Sequence, residues 1–320
     1  MSPPGRSQPV SATDGSVEIE QPAHAGFRRT LLIVNPISGH GRGKRAITTV
    51  SNELGGSGPV DIVVTAGAGD AERAAASAVE AGYQRVVAAG GDGTVNEVVN
   101  GLAGSDTEMG IIPVGTANVL ARELRLPVRD VRAAAAVVKA GVARRIDLGR
   151  AGSRYFAAMA GFGLDASVVR RIHPRVKGLI GVAAYGFAIA GALVKEKPAR
   201  FTLDLDGERV ETEAFIVIVA NSARYAYGIE VAPHASLDDG KLDVIIFQTD
   251  RPKKLALLHQ AYRVLAGSHM RDPNIRYLNA RHVKVDAEPR VLAQFDGDLA
   301  GATPMEIEIA PKSLIVIAPE

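Results

Sequence analysis

The chain contains no cysteine. That absence excludes disulfides, thiol nucleophiles and cysteine-ligated zinc, and it fits a reducing, cytoplasmic setting. Histidine is scarce, with seven in 320 residues. None has the H-E-x-x-H spacing of a zinc helix, so a bound metal is expected to be a hard cation held by oxygen, such as Mg²⁺. Neither sign of charge dominates: 37 basic residues against 35 acidic give a net charge of +2. This argues against a dedicated nucleic-acid binder, which carries a strongly basic face. Long apolar runs are also few. Residues 1–26 are rich in proline, serine and glycine and lack the continuous apolar core of a signal peptide; they are expected to form a disordered tail. The uncharged run Gly178 to Val194 is seventeen residues long, at the lower limit for a membrane span. It is rich in glycine and alanine and carries Tyr185 at its middle, so a buried or membrane-touching helix is expected there.

What the chain has is length for two domains and, at 47% hydrophobic residues, ample material for their cores. Its organising stretch is Ala89-Gly90-Gly91-Asp92-Gly93-Thr94-Val95-Asn96-Glu97. The apolar run from Arg85 to Ala89 predicts a buried strand leading into a glycine turn, where Gly90, Gly91 and Gly93 let the backbone bend without a Cβ clash. Val95, Val98, Val99 and Leu102 then recur at i, i+3, i+4 and i+7, one face of a helix. Thr94 and Glu97 have the spacing of a capping box. Strand, glycine turn and helix N-terminus together make a place for phosphate. A carboxylate at Asp92 inside that turn would repel phosphate unless a cation lay between them, so the residues point to a nucleotide with a divalent metal.

The same alternation runs through the first half. Strands are expected at Leu31–Val34, Asp61–Thr65, Arg85–Ala89 and Gly110–Val114, each followed by helix. The glycine-rich Ser38–Lys44 is expected as a loop, and Asp70–Ala81 as an alanine-rich helix. This pattern implies a doubly wound parallel sheet, with ligands beyond the carboxyl ends of its strands. Asn35, Thr65, Gly91 and Thr116 all lie just after strands, so their loops should open on one crevice. After about Asp147 the pattern changes to alternating strands, at 155–160, 201–205, 214–220, 242–247, 282–286, 291–295, 305–309 and 314–317. Asp206-Gly207 marks a hairpin, and only two helices are expected, near 178–195 and 252–266. The fold class is therefore α/β plus β. A nucleotide-binding α/β domain at 27–148 precedes an antiparallel, β-sandwich-like domain at 149–320, whose last strand or strands are free to return to the first.

Neither common nucleotide motif applies. Gly39–Arg45 is one residue short of a P-loop and has Arg45 in place of its Ser/Thr, and Asn96 replaces the third glycine of a dinucleotide fingerprint. The chain instead resembles the diacylglycerol kinase catalytic domain shared by bacterial diacylglycerol kinases, YegS-like lipid kinases, sphingosine kinases and ceramide kinases. The resemblance lies in Val34-Asn35-Pro36-Ile37-Ser38-Gly39, Gly90 to Glu97 and Pro113-Val114-Gly115-Thr116-Ala117-Asn118. It continues in Gly161 to Ala166, Leu237 to Asp243 and Phe295-Asp296-Gly297-Asp298.

The resemblance implies transfer of a phosphoryl group from ATP to a lipid hydroxyl, most simply of diacylglycerol. By position, Asn35, Pro36, Ile37, Ser38, Gly39, Thr65, Gly90, Gly91, Asp92, Gly93, Thr94, Val95, Asn96 and Thr116 would bind ATP. Ser236 and Asp239 with the Lys241 carbonyl would match a structural Mg²⁺ site. Asp298 falls where bacterial relatives place a catalytic glutamate, and Asp92 is the rival base. The implied partners are a lipid substrate and a membrane surface met peripherally, not nucleic acid; assembly as a homodimer is left open. The basic cluster Arg170, Arg171, His173, Arg175 and Lys177, beside the apolar run, suits an anionic bilayer, though a solvated loop face explains it as well.

Two departures from the family bear on activity. Val119 stands where many relatives have aspartate, and Asp298 is one methylene shorter than glutamate, withdrawing the carboxylate by about 1.5 Å. An NAD kinase-like enzyme on a soluble substrate, or a nucleotide- or lipid-binding module with weakened catalysis, are the alternatives.

Overall fold

The computed structural model describes residues 10–11, 29–171, 197–225, 228–248 and 253–320. Residues 1–26 apart from a short strand, the 170s basic cluster beyond Arg171 and the apolar run 178–194 lie outside them. The side chains of Arg170 and Arg171 are likewise not described. The chain forms two compact units, Met1–Arg145 with Leu314–Glu320, and Ile146–Ser313.

In the first unit four parallel strands, β2 (Thr30–Val34), β3 (Val60–Val64), β4 (Arg85–Gly90) and β5 (Glu108–Pro113), lie in the order β3-β2-β4-β5. A two-residue strand β1 (Val10–Ser11) pairs with β3, and Ile315 and Val316 pair in parallel with Glu108 and Met109 on the other side. Leu31, Leu32, Ile33, Val34 and Val86 to Ala89 are buried on both faces, as expected where helices cover a parallel sheet on each side. Helix α1 (Ser38–Leu54) buries Ala46, Val50 and Leu54, spaced four apart, beside Ala134, Ala135 and Val138 of α5 (Val131–Ala140). Helices α2 (Asp70–Glu80) and α3 (Asp92–Leu102) pack together. A Cβ on Gly101 would lie 2.5 Å from Glu72 O, so α3 meets α2 backbone to backbone. The short α4 (Val119–Glu123) follows β5.

Two local features differ from expectation. The glycine-rich Ser38–Lys44 is not a separate loop but is taken into the first turns of α1, irregular at Gly39 (φ 60°) and Gly41 (φ 82°). Thr94 and Glu97 form no capping box, because α3 begins at Asp92 and both side chains are engaged elsewhere.

The second unit is antiparallel. Its strands are the latter part of β6 (Val142–Ala151), β7 (Arg154–Phe156), β8 (Met159–Gly163), β9 (Ala199–Leu205), β10 (Glu208–Ala220), β11 (Leu242–Gln248), β12 (Ile275–Ala280), β13 (His282–Glu288), β14 (Leu292–Phe295), β15 (Asp298–Ala302) and the first part of β16 (Met305–Ala318). The long β10 pairs with β9 over its first half and with β8 and β11 over its second. Asp206 and Gly207, both at positive φ, make the β9–β10 hairpin. Alternate residues of β9 and β13 face a core built on Phe156, Phe162, Phe201 and Phe295. The strand expected at 155–160 is in fact two, broken at 157–158 because those amides bond a distant carboxylate, Asp296. The strands expected at 305–309 and 314–317 are one, β16. Helix α6 (Leu164–Arg171) follows β8, and α7 (Lys253–Leu265) lies within the expected 252–266.

Candidate active site

In the first unit the loops after β2, β4 and β5 are tied to one another. Asn35 Nδ2 donates to Thr94 Oγ1 at 3.1 Å, and Asn35 Oδ1 accepts the Ile37 amide at 3.2 Å. Gly39 approaches β5 so closely that a Cβ would fall 1.8 Å from Val114 O, and one on Gly43 would fall 2.0 Å from Asn35 O. A Cβ on Gly115 would lie 2.5 Å from Gly91 Cα. Glycine is thus required for the loops to meet, as well as for any ligand to approach.

Asp92 closes this arrangement. Its Oδ1 accepts the Val119 amide at 2.6 Å and its Oδ2 the Asn118 amide at 2.9 Å. It therefore caps the first turn of α4 from across the sheet edge, in the manner of an N-cap carboxylate. Burial pushes its carboxyl above the ordinary value, against the pull of the Val119 and Asn118 amides. Asn118, in the left-handed region (φ 50°), returns its Nδ2 to Gly115 O at 2.9 Å.

The loop after β3 has its own support. Thr65 is buried and donates to Val34 O at 3.3 Å through Oγ1. Glu97 of α3 accepts the Gly69 and Ala71 amides at 2.9 and 3.1 Å, satisfying the start of α2. Asp70 accepts the Ala66 and Gly67 amides, which hold its carboxyl below the ordinary value. Gly90, Asn96 and Val95 are buried, whereas Ile37, 82% exposed, Gly93 and Thr116 face outward. Arg42, which motif reading passed over, spans two of these loops: Nε donates to Gly39 O at 3.1 Å and Nη2 to Gly115 O at 3.3 Å. Its signal in the sequence was only its place among the glycines.

The second unit holds the remaining candidates. Asp298 opens β15 with its side chain half exposed. Arg154 Nη2 lies 3.9 Å from Asp298 Oδ2, Nη1 donates to Leu299 O at 3.1 Å, and the guanidinium sits over the Phe295 ring at 5.6 Å. The turn before Asp298 is pinned at two points. The Asp296 carboxylate accepts the amides of Ala157, Ala158 and Met159 at 2.7–2.9 Å. Gln294 Oε1 accepts the Gly297 amide at 2.7 Å, while Gln294 Nε2 donates to Asp165 Oδ2 at 2.7 Å. Asp165 also receives the Tyr225 hydroxyl at 2.6 Å, and burial raises its carboxyl above the ordinary value. Asp165 and Gln294 were not foreseen as supports of Asp298, since they are joined only by folding.

The turn at 236–241 carries the metal candidates. Ser236 Oγ donates to Asp238 Oδ1 at 2.8 Å, and the Lys241 amide donates to Asp239 Oδ1 at 3.0 Å. Buried Asp147, missed in the sequence, accepts the Gly240 amide and the Lys312 amide, each at 2.7 Å. Among the described residues no three His, Cys, Asp or Glu converge as a metal site. A set of one carboxylate, one hydroxyl and one carbonyl suits a hard cation completed by water. The charge of Asp239 adds to burial in raising Asp243 nearby, so a cation would relieve repulsion there.

Comparison with known proteins gives the arrangement a lineage. Residues 29–151 match the diacylglycerol kinase catalytic domain, and 158–318 match the YegS C-terminal NAD kinase beta sandwich-like domain. A Mycobacterium tuberculosis diacylglycerol kinase is 34% identical over 299 residues, covering 91% of this chain and 95% of that protein. A Bacillus subtilis diacylglycerol kinase is 32% identical over 297 residues, covering 92% and 97%. A Bacillus anthracis crystal structure, described provisionally as a diacylglycerol kinase, matches with a TM-score of 0.79 at 25% identity, covering 94% of this chain and 98% of that one. Both halves and the order of the two domains agree, and the chain belongs to the diacylglycerol kinase family.

Proposed function

We propose that this kinase transfers the γ-phosphoryl group of ATP to the hydroxyl of a membrane lipid of the diacylglycerol class. The observation that carries the reading is the Asp92 clamp. It holds the glycine turns after β4 and β5 together at the carboxyl edge of the sheet, where backbone amides at a helix N-terminus receive phosphate. The names borne by the relatives supply the acceptor class.

Each residue has a role on this reading. The loops bearing Asn35 to Gly39, Thr65, Gly90 to Asn96 and Thr116 position the nucleotide, and Arg42 offers a cation beside them. Asp298 accepts the proton of the lipid hydroxyl, and Arg154, bonded to Leu299 O, orients that carboxylate. Gln294 and Asp165 keep the turn at Gly297 in place beneath it. Asp92 acts through Asn118 and Val119 rather than as the base, because both its oxygens already accept amides. Ser236, Asp239 and the Lys241 carbonyl would hold a structural Mg²⁺. Divalent metal when bound neutralises phosphate charge, the main electrostatic need of phosphoryl transfer.

The test is a panel of lipids in mixed micelles with labelled ATP, run against NAD, with the product identified. Label in a phosphorylated diacylglycerol supports the reading. Label in NAD supports the soluble-substrate alternative, and nucleotide binding without turnover supports a weakened module, for which Val119 and Asp298 are the motive.

A further inference from the structure

Helix α7 has two faces of opposite character. One is fixed to the second unit. Gln260, 2% exposed, donates Nε2 to Gln248 O at 2.8 Å. Val264 packs against a core of Met159, Ile218, Phe247 and Ile275. His259 and Arg263 both reach buried Asp272, at 3.5 and 3.9 Å. The helix is closed by Gly267 in the left-handed region (φ 62°), with the Ser268 amide returning to Arg263 O.

The other face presents Leu258, Tyr262 and Leu265, which are 55%, 69% and 70% exposed. At i, i+4 and i+7 they fall within about 60° of one another around the helix. Among the described residues only Ile37, Val142 and Leu299 are other large apolar side chains so exposed, and none of them adjoins another in sequence. The surrounding sequence is also largely of one sign. Residues 251–272 have Arg251, Lys253, Lys254, Arg263 and Arg271 against Asp272 alone, which Arg263 faces, whereas the rest of the chain is net negative.

We propose that α7 is a membrane-docking helix that lies in the interface of an anionic bilayer. The inference deepens the lipid-kinase reading and rests on it for its substrate. An apolar stripe on a helix that has Lys253 and Lys254 at its amino end and no acidic residue has the form of an interfacial helix. Tyr262 at its centre has the apolar body and polar tip that favour the headgroup level. The lysines add attraction to anionic lipid. Charge also chooses between occupants. A two-fold contact would set this basic segment against its own copy, whereas an anionic surface complements it.

The experiment uses the full chain and vesicles without ATP or diacylglycerol, so that binding is read apart from catalysis. Sedimentation compares phosphatidylcholine vesicles with vesicles containing phosphatidylglycerol. The triple variant Leu258→Gln, Tyr262→Gln, Leu265→Gln keeps good helix formers at exposed positions, and its fold is checked by melting. It is expected to lose vesicle binding by roughly 100-fold, since three apolar side chains no longer enter the interface. It should retain turnover on a short-chain, water-soluble diacylglycerol. The pair Lys253→Gln, Lys254→Gln should lower binding to the anionic vesicles by roughly tenfold or more and leave the neutral ones unchanged. Equal binding by wild type and triple variant, or no binding by wild type, overturns the proposal. So does a wild-type dimer in solution that the triple variant dissociates, which would make α7 a self-association face. Vesicle binding that depends on α7 in a protein that phosphorylates no lipid would support the docking helix and overturn the function reading alone.

Discussion

The Asp92 clamp yields a prediction that separates two roles for one carboxylate. Its oxygens accept the Val119 amide at 2.6 Å and the Asn118 amide at 2.9 Å. Hydrogen bonds to a charged group contribute about 1.5–3 kcal/mol each. Asp92→Asn can keep one of the two. Its Nδ2 then faces the other amide, donor against donor, so the expected loss is about 2–3 kcal/mol. Asp92→Ala loses both bonds, but water can reach part of the freed helix start, so about 2–4 kcal/mol is expected. At about 2–4 °C per kcal/mol for a unit of this size, both variants should melt measurably lower. Amide exchange should quicken at residues 114–124, and affinity for ATP should fall with it, because the loop after β5 is no longer held against Gly91. The assay is thermal melting, hydrogen exchange and nucleotide titration on the same samples. If Asp92→Asn melts, exchanges and binds ATP as wild type does and only turnover is lost, the clamp argument is wrong and Asp92 is the base.

Other outcomes follow from the same geometry. Asp298→Asn should cut turnover by roughly 10²–10⁴-fold with ATP affinity unchanged; normal turnover would remove Asp298 as the proton acceptor. Gly115→Ala should destabilise by about 1–3 kcal/mol and weaken nucleotide binding, because its Cβ would lie 2.5 Å from Gly91 Cα. Gly91→Ala should be mild, since its Cβ would sit at an ordinary 3.4 Å from Gly115 Cα; equal effects in melting and titration would contradict this. Asp239→Ala should abolish the Mg²⁺-dependent rise in melting temperature, which by linkage reaches about 2.7 kcal/mol at 100-fold saturation; an unchanged EDTA effect would place the metal elsewhere. Asp165 has its carboxyl raised by burial, so its contribution to stability is full below the unfolded value and is lost as pH rises through the folded one. Asp165→Asn, which can still bond Tyr225 and Gln294, should therefore gain in melting temperature relative to wild type as pH rises from acid towards neutrality. A difference that does not change with pH would mean that Asp165 does not titrate there.

The parallel strands were legible because each centres on a short apolar run bounded by glycine, proline or a polar turn; β2, β4 and β5 are buried almost throughout, whereas β3 is fully buried only at Val63 and reads as a strand by its β-branched residues. The family blocks at 34–39, 90–97 and 113–118 were legible for the same reason, being local. What escaped was decided by long-range partners. Thr94 looked like a cap, but its hydroxyl meets Asn35, 59 residues away, and Glu97 meets an amide 28 residues away. The break after β7 is made by Asp296, 139 residues on. Strand β15 is exposed at four of its five positions and contains glycine, so neither burial nor propensity marks it. Asp165 stands in the family block 161–166 but nothing local says what it holds, and Asp147 carries no local signal; one is known by its bonds to Tyr225 and Gln294, the other by its bonds to Gly240 and Lys312.

The last part of β16 has a consequence for how the protein is made. Leu314, Val316, Ile317 and Ala318 are buried in the first unit, and Ile315 and Val316 pair with β5. Chains fold largely as they emerge, amino end first, yet the first unit lacks one of its strands until some two hundred further residues have followed β5. Until then the edge of β5 stands open, and an open edge invites pairing with other chains. The second unit, whose residues 146–313 are consecutive, can close first. The unit whose strands begin earlier is thus completed later, and a loss of Leu314 to Ala318 would open the first unit beside β5, some two hundred residues along the chain from the strand it uncovers.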